Sequence, residues 1–160
     1  MTASRSRLAD RVVAIALLAM ALAAFTMDRS AALDLCAVDS PDPFGRALWA
    51  YGERYDPLVA ANPHFLQIMS GISAFVFGPL ELAIAYGLWT RRAWVRGPAI
   101  VWSIAMLYSM VVHVLAEYWG PMPTPHPGIA VAAYSAYIIV PLVLVRWLWN
   151  GPPTRSPPPS

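Results

Sequence analysis

The 160-residue chain is 58% hydrophobic and 12% charged, where a soluble domain carries about 25% charged residues, and its mean hydropathy is +0.52. This composition excludes a soluble globular domain and describes an integral membrane protein. One cysteine (Cys36) excludes an intramolecular disulfide, 11 basic residues that are all arginine exclude lysine chemistry, and a net charge of +2 without a Gly-rich loop argues against nucleic-acid or nucleotide binding.

Four apolar stretches approach the roughly 20 helical residues needed to cross a bilayer. The first covers residues 11–27. Its basic start (Arg5, Arg7, Arg11) and its Ala21-Leu22-Ala23 also fit a signal peptide, but it is read here as a retained span. The connection that follows, residues 28–64, is the one long segment outside the spans. It carries six acids (Asp28, Asp34, Asp39, Asp42, Glu53, Asp56) against three arginines. After a turn-prone Asp39-Ser40-Pro41-Asp42-Pro43, it predicts a short interfacial helix with Phe44, Leu48, Trp49 and Tyr55 on one face, ended by Asp56-Pro57.

The second span covers residues 65–89 and contains Pro79. The third covers 98–117, and the fourth covers 128–149 with Pro141 inside; membrane helices tolerate such prolines when neighbours satisfy the freed carbonyls. Trp89, Trp94, Trp119, Trp147 and Trp149 read as interfacial anchors. Eight of the eleven arginines fall before the first span, in the Arg91-Arg92-Arg96 connection or near the C-terminus. The positive-inside rule therefore predicts that both termini are cytosolic. The expected fold class is all-α, a four-helix membrane bundle over residues 11–149. A cytosolic segment (1–10) precedes it and a disordered Pro-rich tail (150–160) follows.

Ionisable groups inside a span are costly, which makes each one a candidate for function. Asp28 stands at the outer end of the first span, Glu81 in the inner part of the second, and His113 and Glu117 one helical turn apart in the third. At 1.5 Å per residue, Glu117 reaches the outer level of Asp28 and Asp56. Carboxylates at the mouth of an apolar cavity can hold a cationic amine or exchange protons, with Asp28, Glu117 and His113 as candidate catalytic groups. Equally, Glu117 and His113 can simply be solvated at the interface. Glu81 reads as a partner for the Arg91-Arg92 connection or, failing that, as a deep acid or cation partner. Tyr134 and Tyr137, followed by Pro141, can wall a ligand cavity. His126, between Pro125 and Pro127, has no companion ligands, so neither a metal site nor a cofactor is expected.

Several local patterns carry a family resemblance. Phe25-Thr26-Met27-Asp28 closes the first span with an acid. Leu48-Trp49-Ala50-Tyr51 leads to Tyr55-Asp56-Pro57-Leu58; residues 69–80 read MSGISAFVFGPL; Pro98-Ala99-Ile100 precedes Ser103; and Ala133 to Pro141 contains Tyr-x-x-Tyr-x-x-x-Pro. In order and spacing, over about residues 10–149, this resembles the EXPERA family, whose members include a sterol Δ8–Δ7 isomerase (emopamil-binding protein) and the sigma-2 receptor.

The resemblance implies a four-span bundle with an intramembrane cavity, but the isomerase's residues do not carry over. Its histidine and glutamate of the first span fall near Met20 and Ala24, which cannot move protons. A further isomerase glutamate falls near Ser70, and the receptor's glutamate in that span near Ser73. Asp28, Asp56 and the two tyrosines match the receptor's cavity, and Glu117 resembles an acid in the isomerase.

The expected function is binding of a sterol- or isoprenoid-like or amine-bearing lipid by Asp28, Asp56, Tyr134, Tyr137, Ser70, Ser73 and Glu81. The alternatives are isomerisation or cyclisation of an isoprenoid through a carbocation, and a membrane-protein partner or chaperone role. The expected partners are a hydrophobic small molecule and the bilayer, without nucleic acid and with a homodimer allowed by small-residue packing. The expected location is a bacterial inner membrane, or the endoplasmic reticulum in a eukaryote.

Overall fold

The computed structural model describes residues 3–149, so the tail read as disordered lies outside the described residues. Every regular element among them is helical. Four helices are long and apolar enough to span a membrane: α1 (Arg7–Ala32), α4 (His64–Trp89), α5 (Ala93–Trp119) and α6 (Pro127–Trp149). Between α1 and α4 lie two short helices, α2 (Pro43–Tyr55) and α3 (Pro57–Ala61). The protein is an integral membrane protein. The first and third spans run several residues past the limits set by hydropathy, the second and fourth by one residue each. At the start of α1, Asp10 is 2% exposed and lies 3.3 Å from Arg91 Nε, a pairing that hydropathy did not indicate.

The packed core joins Ala14 and Leu17 of α1 to Ile84 and Leu88 of α4, Trp102 of α5 and Leu144 of α6, all fully buried. Residues early in α1 and α5 meet residues late in α4 and α6, so this core fills the end of the bundle near the chain ends. In lipid, such contacts hold through shape and dispersion more than through transfer from water. Small residues let the backbones approach: Ala21 and Ala24 are 1% exposed, and a Cβ on Gly78 would come 3.1 Å from the Phe25 ring. Val101, Ile104 and Leu115 turn outward and present the apolar face that lipid requires. Trp94, Trp119 and Trp149 are exposed near helix ends, as anchors would be. Trp147 instead packs against the core. The first span is thus an integral part of the bundle.

Two of the spans are locally widened. α1 adopts a π-turn at Ala24–Asp28 and α4 another at Ser73–Phe77. In α4 the cause is Pro79, which lacks an N–H and crowds the carbonyl four residues back, at Phe75. In α1, the Thr26 hydroxyl donates to Leu22 O (2.7 Å), competing with the helical ladder. The two widened turns pack against each other.

The predicted loop helix forms where the sequence places it. Pro43 opens α2 at a position whose N–H would be unsatisfied anyway. Asp56 ends it and caps α3, accepting from Val59 N at 3.1 Å. The four large apolar residues of its predicted face are unevenly covered. Leu48, Trp49 and Tyr55 are half-buried but Phe44 is 38% exposed, and the closest contacts are made by Gly45 and Gly52. A Cβ on Gly52 would lie 2.4 Å from Ala60 N, so α2 and α3 touch backbone to backbone.

Candidate functional site

The end of the bundle nearest α2 is hollow. Two chambers, of about 370 Å³ and 110 Å³, share Asp28, Leu66, Ser70, His113, Tyr134 and Tyr137 in their walls. The larger lies within the size range of small-molecule sites. Ala47, Leu48 and Tyr51 of α2 cover it, while Met106 and Met110 of α5 line the smaller one. The four spans and the loop helix therefore all contribute to one apolar space with a few polar groups.

Asp28 and Ser73 occupy the two π-turns. Ser73 Oγ donates to Asp28 Oδ2 at 2.6 Å, a short charge-assisted geometry when the carboxylate is ionised. Widening each helix by one residue places these two side chains opposite each other, as π-turns often do at functional sites. Ser70, one turn before Ser73, adds a second hydroxyl to the same wall.

A second polar group lies behind the opposite wall. Tyr134 Oη donates to Asp56 Oδ2 at 2.6 Å. The Tyr134 ring meets His113 edge to face, with centroids 4.4 Å apart. One ligand-capable atom each from Asp56, His113 and Glu117 fall within 4.8 Å of one another. Asp56 and Glu117 are fully buried and His113 is 4% exposed. His113 Nε2 has no hydrogen-bond partner, and the Glu117 carboxyl lies beside Asp56 and Thr124. Burial, followed by the negative Asp56 and Glu117 nearby, pushes the Tyr51 phenol above its ordinary value. The turn after α5 is folded onto this cluster: Thr124 N donates to Glu117 O (3.1 Å) and its hydroxyl to Tyr55 O (2.8 Å).

The carboxylates at this end of the bundle therefore fall into two groups rather than one. Asp28 faces the chambers. Asp56 stands one hydrogen bond behind Tyr134, and Glu117 borders a separate apolar groove with Val114 and Ala130. Tyr134 and His113 belong to both the chamber wall and the buried cluster. Tyr137 lines the chambers. Glu81 is fully buried, lines neither chamber and lies beside the Trp102 indole. Arg91, expected as its partner, meets Asp10 instead.

Reasoning from sequence missed the ties that hold the loop over the chambers. Asp42 accepts from the Ser30 hydroxyl and from Arg29 Nη2 at 3.3 Å. Asn62, in a left-handed conformation (φ 40°), donates to Ala31 O (2.9 Å) and to Asp34 Oδ1 (3.1 Å). The acid excess of the connection was a visible signal, but not which acid met which partner.

Compared with known proteins, residues 43–147 match the model of the EBP family, EXPERA (EXPanded EBP superfamily). No curated protein and no solved structure matches the chain. The matched stretch includes the loop helix and three of the four spans, with Asp56, His113, Glu117, Tyr134 and Tyr137 inside it and Asp28 before it. A hollow bundle of four apolar helices capped by a loop helix, together with a family match over most of its length, assigns the chain to the EXPERA family.

Proposed function

We propose that this protein binds a hydrophobic small molecule, sterol- or isoprenoid-like or a lipophilic amine, in the chambers beneath α2. The observation that carries this reading is the Asp28–Ser73 pair. It is a carboxylate held by one hydroxyl in the wall of a largely apolar space that opens among the spans. The apolar body of the ligand lies against Leu66, Met106 and Met110, and its hydroxyl or ammonium meets Asp28. Tyr137 and Tyr134 flank it, with Asp56 acting as a positioning residue through Tyr134. The arginine distribution supports cytosolic termini, and the Ala-, Arg- and Pro-rich composition without lysine supports a bacterial inner membrane. In a eukaryotic host, the family resemblance would instead point to the endoplasmic reticulum.

The test is retention of tritiated cholesterol and of a tritiated lipophilic tertiary amine by detergent-purified protein. Wild type retains one of them at a stoichiometry near one per chain, and Asp28→Asn loses it by tenfold or more at unchanged elution and melting. Equal retention by Asp28→Asn overturns the site.

One observation favours a second reading, isomerisation or cyclisation of an isoprenoid. His113 reaches both the chambers and the Asp56–Glu117 carboxylates, on the wall away from Asp28. Carbocation chemistry needs two such groups: one delivers a proton to a carbon–carbon double bond, the other removes a proton from a neighbouring carbon, and the aromatic faces shield the cation between. Incubation with lipid extract in deuterated water, against heat-inactivated protein, separates the readings. A product carrying deuterium on carbon identifies an enzyme; an unchanged co-purified lipid identifies a binder.

A further inference from the structure

We propose that Asp56, His113 and Glu117 form a divalent metal site, best suited to Zn²⁺. It ties the junction of α2 and α3 to the outer end of α5. The proposal does not depend on the lipid-binding reading, since only His113 also lines the chambers.

The geometry comes first. Three ligand atoms from two sequence-distant segments lie within 4.8 Å of one another. Oxygen and nitrogen ligands at about 2.0–2.2 Å from a tetrahedral zinc ion stand roughly 3.3–3.6 Å apart, so small side-chain rotations close the set around an ion. The second observation is independent. His113 Nε2 has no hydrogen-bond partner, although the residue is more than nine-tenths buried, and the fully buried Glu117 carboxyl lies beside Asp56. A buried imidazole nitrogen left without a partner is expensive, and a cation held between it and the two carboxylates satisfies it.

Charge gives the same answer. Two carboxylates this close in a low-dielectric interior repel, and the arginine pairs found nearest the chain's other acids involve Asp42 and Asp10, not these. A doubly positive ion between two carboxylates makes the buried cluster neutral. Ligand type narrows the choice. An imidazole with two carboxylates and no thiolate suits zinc or manganese, and zinc binds such a mixed set more tightly. Three protein ligands leave a fourth position for water. Asp56 is already oriented by Tyr134 Oη and Val59 N, the kind of outer hydrogen bonds that fix a ligating carboxylate. With His113 Nε2 on the metal, the imidazole is no longer a proton carrier, so occupancy argues against the isomerase reading.

The experiment uses full-length, tag-free protein in detergent, stripped with EDTA and given Zn²⁺ alone. Wild type retains one zinc per chain through gel filtration, measured by elemental mass spectrometry, and its melting temperature rises with zinc. Glu117→Gln lowers zinc affinity by about 100-fold or more, as loss of one ligand should, while Glu81→Gln retains it. Co²⁺ in wild type gives visible d–d bands of a nitrogen/oxygen site without a thiolate charge-transfer band, a readout that needs no variant to fold. Absence of stoichiometric zinc, wild-type affinity in Glu117→Gln, or a thiolate band from Cys36 overturns the proposal. Asp28→Asn, which tests lipid binding, keeps its zinc, so the two readings fail separately.

Discussion

Tyr134 donates a hydrogen bond of 2.6 Å to Asp56 across 78 residues of sequence, joining the wall of the chambers to the hinge between the two loop helices. Its ring also packs against His113. One side chain thus faces the chamber, supports the buried cluster and helps hold the loop helix in place. Removing the hydroxyl in Tyr134→Phe leaves Asp56 Oδ2 without its donor in a fully buried position. The expected cost is about 1–3 kcal/mol, read from the midpoint of an SDS-unfolding titration. A variant as stable as wild type would show that Asp56 finds another donor.

Ser73→Ala isolates the second member of the Asp28 pair. The carboxylate remains, but its orienting donor at 2.6 Å is gone. Sterol or amine retention should fall about fivefold to tenfold, equivalent to roughly 1 kcal/mol, less than for Asp28→Asn. If Ser73→Ala binds as well as wild type while Asp28→Asn does not, the hydroxyl has no part in positioning Asp28.

Glu81 provides the contrast. It is fully buried beside the Trp102 indole and lines neither chamber, so an uncharged amide of the same shape should be no more costly to bury than the acid. Glu81→Gln is expected to retain ligand within twofold of wild type and to unfold no earlier. A tenfold drop in retention at unchanged stability would place Glu81 among the functional groups.

The attachment of the loop is pH-dependent in a defined direction. The Ser30 hydroxyl is the main cause of an Asp42 pKa below its ordinary 3.8, helped by the Phe44 and Gly45 N–H groups and by Arg29. A depressed carboxylate pKa stabilises the fold fully above the unfolded value, and this stabilisation is lost as pH falls below 3.8 through the folded value. Limited proteolysis of the 28–64 connection should therefore accelerate below about pH 4 in wild type. In Asp42→Asn the same acceleration should be largely absent. An unchanged acid response in that variant would assign it to another carboxylate.

Much of this architecture was legible in sequence because its causes are local. A bilayer admits only helices whose backbone bonds close internally, so four apolar stretches of sufficient length could only become the four spans. Pro43 after Asp42, and Pro57 after Asp56, bracket the loop helix because proline suits a first helical turn and disfavours helix in the residue before it. The one-turn spacing of His113 and Glu117 likewise placed them on one face.

What tertiary structure alone decided depends on contacts between segments distant in sequence. The Thr26 hydroxyl loosens α1 locally, but no local pattern sets Asp28 opposite Ser73 or brings the α2 backbone at Gly45 and Gly52 against Leu35 and Ala60. Depth along a span placed Asp28, Asp56 and Glu117 at one level. Depth fixes height, however, and not rotation about the bundle axis. Helix rotation and packing set Asp28 in the chamber wall and gathered Asp56 with His113 and Glu117 behind Tyr134. Asp10 met Arg91 for the same reason, since an ion pair across 81 positions exists only after α1 and α4 have packed. Hydropathy and proline placement therefore determined which segments cross the membrane, while the rotation and close approach of those segments determined which polar groups meet inside it.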